Sequence, residues 1–128
     1  MKRILLVDDS PSIVEAAYDE LEEKGYMVDV AYNGKKALKI LEENPEDLPD
    51  LIVMDIEMPK MKGDEAAQII RDTPAWSKIP IVALTGVAPE SLNAPPGLFN
   101  AYLVKPFGFE QMIDLVAKMI GPADWTVV

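Results

Sequence analysis

"ILLVDDSPS", residues Ile4 to Ser12, is an apolar, β-prone run that stops on two adjacent carboxylates, Asp8 and Asp9. Uncompensated buried charge is expensive, so a deep strand ending on paired acids needs solvent or a bound cation there. Four more apolar runs follow: Val28–Ala31, Leu51–Met54, Ile81–Leu84 and Ala101–Val104. Most are continuous rather than alternating, the pattern of strands covered on both faces.

Segments of helical period separate these runs. Ser12 and Glu15 have the spacing of a capping box. Ile13, Ala16, Ala17 and Leu21 then mark the inner side of a helix that should end at Gly25. A second helix is predicted after Asn33-Gly34, with Ala37, Leu38 and Leu41 inward and a stop before Pro45. A third is predicted from about Gly63 to Asp72 with Ala66, Ile69 and Ile70 inward. The last sets Phe109, Met112, Ile113, Val116, Ala117 and Ile120 along one face.

Strand and helix alternate about five times, which predicts a doubly wound α/β fold with a parallel sheet and helices on both faces. The fourth connection departs from the pattern. "TGVAPESLNAPPGLFN", residues 85–100, holds Pro89, Pro95, Pro96 and Gly97. Prolines so close together cannot sit inside a regular helix. A short turn around Pro89–Asn93 is predicted, with a fourth helix that is short, displaced or mobile.

At 128 residues the chain fits one domain, and 49 % apolar residues are enough for a real core. No apolar run approaches the ~20 residues that cross a bilayer. The start, Met1-Lys2-Arg3-Ile4, leads into an apolar stretch too short for a signal peptide, so a cytoplasmic protein is the default reading. Cysteine and histidine are both absent, which removes thiolate chemistry, Ser–His and Cys–His nucleophile pairs and the commonest transition-metal ligand. A net charge of −10 argues against nucleic-acid binding, which needs basic patches.

In open α/β sheets ligands bind outside the carboxyl ends of the strands. The residues there are Asp8 and Asp9 after the first run, Asp55 closing "DLIVMD", Thr85 after "IVAL" and Lys105 after "AYLV". Each alone has a plain explanation, since Asp caps turns, Thr suits strands and Lys is usually solvated. Together they converge on one edge. Three clustered acids repel one another unless a cation neutralises them. With oxygen ligands only, Mg²⁺ suits such a set best, and it commonly keeps waters and accepts a phosphate oxygen.

The motifs "LLVDD", "DLIVMDIEMPKMKG", "IVALTG" and "YLVKPF", in this order and spacing, identify the resemblance. The chain is similar to the receiver domain of two-component response regulators over residues 3–121. That leaves a domain at 1–121 and a tail at 122–128. The resemblance implies the flavodoxin-like plan of five parallel strands in the order 2-1-3-4-5. It implies that Asp55 is the phosphoacceptor, attacking phosphorus on a phosphohistidine of a histidine kinase or histidine phosphotransfer protein. Asp9 would ligate Mg²⁺ directly and Asp8 mainly through water, with Asp55 and the backbone carbonyl of Glu57 completing the protein ligands. Lys105 would pair with a phosphoryl oxygen, and the Thr85 hydroxyl would hydrogen-bond to it. Tyr102 matches the family's switch aromatic, and the Lys105–Pro106 bond one that is cis in the family.

The resemblance also marks departures. Gly86 stands where the family usually has Ala, and Glu57 and Val87 occupy positions that tune how water reaches the acyl phosphate. The fourth connection is about two residues short, which argues for a monomer or weak dimer; the resemblance also implies a downstream protein target. Such a chain is not an enzyme on a free substrate; it catalyses only its own phosphorylation and dephosphorylation. A phosphorylation-independent interaction module is the alternative. An aspartyl-nucleophile phosphatase usually has a second Asp where Glu57 stands. A flavodoxin-type FMN protein would want a Ser/Thr-rich loop where Asp8 and Asp9 stand. In "GPADWTVV", Trp125, Val127 and Val128 either pack back onto the domain or begin a longer protein.

Overall fold

The computed structural model describes residues 2–122; the expectation for Trp125, Val127 and Val128 lies outside the described residues. Five strands run in parallel: β1 (Arg3–Val7), β2 (Met27–Ala31), β3 (Leu51–Asp55), β4 (Ile81–Thr85) and β5 (Ala101–Val104). Their spatial order is β2-β1-β3-β4-β5, as the resemblance implies. Three helices connect the first four, α1 (Pro11–Glu23), α2 (Gly34–Glu43) and α3 (Gly63–Asp72), and α4 (Phe109–Ile120) follows β5.

The period-two alternation of strand side chains builds two cores, one on each face of the sheet. Ile4 and Leu6, Leu51 and Val53, Val82 and Leu84, and Leu103 point toward α1 and α4, meeting Val14, Leu21, Met112 and Val116. Leu5 and Val7, Ile52 and Met54, and Ile81 and Ala83 point the other way, meeting Ala37, Leu41, Ala66 and Ile70 from α2 and α3. The central strands β1, β3 and β4 are buried almost throughout, whereas edge strands β2 and β5 are only partly covered. Each fully buried Leu or Ile contributes roughly 1.5–3 kcal/mol of transfer free energy.

Helix ends follow local chemistry, with two corrections to the sequence reading. Helix α1 starts at Pro11, whose fixed φ suits the first helical position. Ser10 is therefore the cap and Ser12 lies in the first turn, so the Ser12–Glu15 capping box does not form. The inner face of α1 is Val14, Ala17 and Leu21, while Ile13 and Ala16 are half-buried. The helix ends as expected near Gly25, which takes a left-handed φ of 95°. Asn33 caps α2 by accepting the Lys36 amide at 2.9 Å. Helix α3 has the predicted bounds, but Ala67 faces inward and Ile69 is 40 % exposed, because the helix is rotated to bury its smaller residue.

The β4–β5 connection contains only a 3-10 turn at Pro89–Ser91, as its prolines predict. A helix normally pins such a crossover; here Arg71 at the end of α3 does so. Its Nε donates to the carbonyls of Gly97 (3.1 Å) and Leu98 (3.2 Å). Its terminal nitrogens donate to the carbonyls of Ser77 (3.0 Å) and Ile79 (2.7 Å) and to Asn100 Oδ1 (2.7 Å). The same Asn100 oxygen accepts the Ile81 amide at 2.8 Å, so one guanidinium holds the entries to both β4 and β5. Arg71→Ala should lower stability by roughly 2 kcal/mol, read as a fall in the urea midpoint. Arg71→Lys should recover only part of this, because one ammonium cannot span acceptors on both sides.

Candidate functional site

The sheet's hydrogen-bond ladders extend past the strand ends and fix the backbone of the acidic edge. The Asp8 amide donates to Ala31 O (3.2 Å), the Ile56 amide to Leu84 O (3.0 Å) and the Lys105 amide to Thr85 O (2.7 Å). Each of the five strand ends is thereby tied to a neighbour, and the side chains of Asp8, Asp55 and Lys105 converge.

Asp8 is fully buried and Asp55 is 4 % exposed. The Lys105 ammonium lies between them, 3.3 Å from Asp8 Oδ2 and 3.4 Å from Asp55 Oδ2. The other oxygen of Asp8 accepts the Ser10 amide at 2.9 Å, and Asp55 Oδ1 accepts the Glu57 amide at 3.3 Å. Among the described residues no buried side-chain polar atom lacks a partner. Asp9 is exposed, and one carboxylate oxygen each from Asp8, Asp9 and Asp55 falls within a 4.8 Å cluster. Three carboxylates and no nitrogen or sulfur donor make a set fitted to a hard, oxygen-seeking dication.

Burial, and then the negative charge of Asp8, push the Asp55 carboxyl from its ordinary 3.8 up to about 6; Lys105 and the Glu57 amide pull the other way.

Thr85 lies at the same edge, 1 % exposed, but its hydroxyl is turned onto its own loop. It donates to the Val87 carbonyl and accepts the Val87 amide, each at 3.0 Å. Continuing the strand alternation, Asp8, Asp55 and Lys105 belong to the α1/α4 face and Thr85 to the α2/α3 face. Tyr102 shares the Thr85 face, pairs with Ala83 in register, and meets Phe99 edge-to-face with centroids 5.8 Å apart. Glu57 and Val87 are exposed at the mouth. A methyl group on Gly86 would meet nothing within 4 Å, so the exchange of Ala for Gly leaves that side open.

Gly63 has the opposite constraint. A Cβ there would collide with the Asp55 carbonyl oxygen and come within 2.8 Å of Ile56 Cα. The start of α3 therefore rests directly on the backbone that carries Asp55. The Lys105–Pro106 bond is cis.

One feature of the site escaped the sequence reading. An apolar cavity of about 340 Å³ opens beside Lys105, lined by Ile13, Pro106, Phe107 and Phe109. Its signal was the surplus of apolar residues flanking "VKPF", which helical periodicity assigned to the core.

Comparison with known proteins agrees with this geometry. The family model of the response regulator receiver domain matches residues 4–117. The chain belongs to the response-regulator receiver family. It is a receiver domain of two-component signalling, a family that works with histidine kinases rather than a conventional enzyme. It is 40 % identical over 117 residues to an uncharacterized 14.6 kDa protein of Leptolyngbya boryana, covering 90 % of this chain and 87 % of that one. Chemotaxis response regulator CheY4 of Vibrio cholerae superposes with a TM-score of 0.85 at 30 % identity, covering 93 % of this chain and 98 % of that one. Response regulator TrrA of Thermotoga maritima, solved in complex with Mg²⁺-BeF, superposes with a TM-score of 0.79 at 37 % identity, covering 93 % and 99 %. The receiver spans about half the length of several transcriptional regulators it matches. No helix among the described residues is long and apolar enough to cross a membrane.

The raised Asp55 pKa has a signed consequence. Between about 3.8 and about 6 the folded receiver holds a proton that the unfolded chain releases, so this group's contribution falls as pH rises and the cost is complete above that window. In chelator, Asp55→Asn should melt near the parent at pH 4 and several degrees above it at pH 7.5. Added Mg²⁺ should narrow the difference. A melting difference independent of pH would contradict the assignment.

Proposed function

We propose that this receiver accepts a phosphoryl group on Asp55 from a histidine kinase or histidine phosphotransfer protein, with Mg²⁺, and signals to a protein partner through a change in conformation. The observation that carries the reading is Lys105, held at 3.3 and 3.4 Å from Asp8 and Asp55. A cation already placed against the acceptor carboxylate suits pairing with the oxygens of an incoming phosphoryl group.

Asp55 Oδ attacks phosphorus as the P–N bond to the donor histidine breaks, giving an acyl phosphate on Asp55 and leaving the imidazole to the donor. Asp9, Asp55 and the Glu57 carbonyl would hold the metal directly. Asp8, which is fully buried, would hold it mainly through water, as the resemblance implies. When bound, the metal supplies positive charge to offset what builds up on the transferring group. The Mg²⁺-BeF complex of TrrA supports a metal here. The cavity walled by Ile13, Phe107 and Phe109 offers the donor protein an apolar seat beside Lys105.

After transfer, the Thr85 hydroxyl would leave Val87 for a phosphoryl oxygen, and Tyr102, on the same face, would move inward toward the space it vacates. Glu57 and Val87 flank the path of attacking water and would set the lifetime of the acyl phosphate. Residence in the cytoplasm and a monomeric or weakly dimeric state accompany this reading.

Incubation with acetyl phosphate and Mg²⁺ should add one phosphoryl group to the parent by intact mass and none to Asp55→Asn. Failure of the parent to gain mass would favour the phosphorylation-independent module. Asp9→Ala should lose Mg²⁺ affinity more severely than Asp8→Ala, measured by calorimetry. Phosphate-release rates of Glu57→Asn and Val87→Glu should both differ from the parent; superimposable time courses would remove the two residues from the rate-setting role.

A further inference from the structure

The missing crossover helix leaves a second cavity, of about 280 Å³, between α3 and the β4–β5 connection. Its floor is apolar, formed by Ile56, Leu98 and Phe99, with Leu92 and Ala94 as the far wall. Its near rim is the exposed acidic pair Asp64 and Glu65 in the first turn of α3. No ion pair among the described residues neutralises either acid, and no lysine or arginine lines the cavity.

Size and charge select the occupant. The volume of about 280 Å³ lies at the bottom of the ~300–1,000 Å³ range of small-molecule and cofactor sites, and suits one or two side chains. The acidic rim repels phosphate-bearing ligands and favours cations. A second copy of this chain is disfavoured by its net charge of −10. The Leu98 part of the floor is also pre-formed, because the Arg71 guanidinium holds the Gly97 and Leu98 carbonyls at 3.1 and 3.2 Å. Little ordering entropy then opposes binding.

We propose that this cavity is a docking site for a partner protein, taking one large apolar side chain from a segment flanked by lysine or arginine. The apolar anchor supplies affinity in the desolvated floor, and the basic flanks supply orientation and encounter rate against Asp64 and Glu65. The site is separate from the phosphoacceptor pocket, and its occupancy needs no phosphoryl group.

Nitrogen-15 chemical-shift mapping on the full chain tests this with a synthetic peptide carrying one tryptophan between two pairs of lysines. Two control peptides replace the tryptophan by alanine or the lysines by glutamate. The tryptophan–lysine peptide should shift the amides of Ile56, Leu92–Ala94 and Gly97–Phe99 saturably, and neither control should. Charge reversal by Asp64→Lys with Glu65→Lys should weaken binding at least about tenfold. Ala94→Trp, which fills the wall, should do the same while melting as the parent does. Equal binding of the alanine peptide would reduce the effect to general attraction by an acidic protein and overturn the proposal. Shifts confined to other surfaces, binding unaffected by charge reversal, or self-association through these residues without peptide would also overturn it.

Discussion

The structure turns on how two buried carboxylates are tolerated a few ångströms apart at the edge of an apolar sheet. Asp8 and Asp55 repel each other, and both have lost most of their water. Unit charges near 4 Å interact with roughly 4 kcal/mol at the effective dielectric of a protein margin, so the arrangement needs a compensating cation. Lys105 provides one positive charge for two negative ones, and Asp9 adds a third acid at the solvent side. The residual deficit of positive charge is what makes the edge receptive to a divalent ion. The raised Asp55 pKa is the same imbalance expressed as proton affinity.

The sheet delivers these groups with little help from side-chain packing. Parallel ladders running into Asp8, Ile56 and Lys105 set the strand ends level, and the pleat decides which face each residue serves. Charge handling falls on the α1/α4 face, through Asp8, Asp55 and Lys105. Thr85 and Tyr102 fall on the opposite face, beside Phe99 and the irregular connection. In the proposed reading, chemistry and readout therefore fall on opposite sides of one layer.

Much of this was legible in the sequence. Apolar runs gave all five strands, and the four that end on Asp, Thr or Lys gave the convergent edge, because strands covered on both faces stand out as uninterrupted apolar stretches. The prolines of residues 89–96 ruled out a regular helix for a covalent reason. Helix faces were less legible. Ile69 and Ala67 satisfy nearly the same periodicity, and only packing against α2 and the sheet decides which turns inward. Ser12 matched a capping box, but Pro11 began the helix two residues earlier. The Arg71 contacts had no sequence signal, since four of their five acceptors are backbone carbonyls. The cavity beside Lys105 was hidden for a related reason: Ile13 and Phe109 fit a core stripe as well as they fit a surface recess.

Those carbonyl acceptors matter for how such a chain can diverge. A backbone carbonyl is present whatever side chain its residue carries, so the guanidinium fan constrains the path of the connection and almost none of its letters. Only Arg71 and Asn100 must keep their identity to preserve it. Between the 3-10 turn and Leu98, apart from Gly97 with its left-handed φ of 84° and Leu92 and Ala94, which pack on the core, the chain is free to drift in sequence without unseating β4 or β5. Variation there is cheap in folding terms, which leaves that surface open to rapid change of partner while the acidic edge stays fixed.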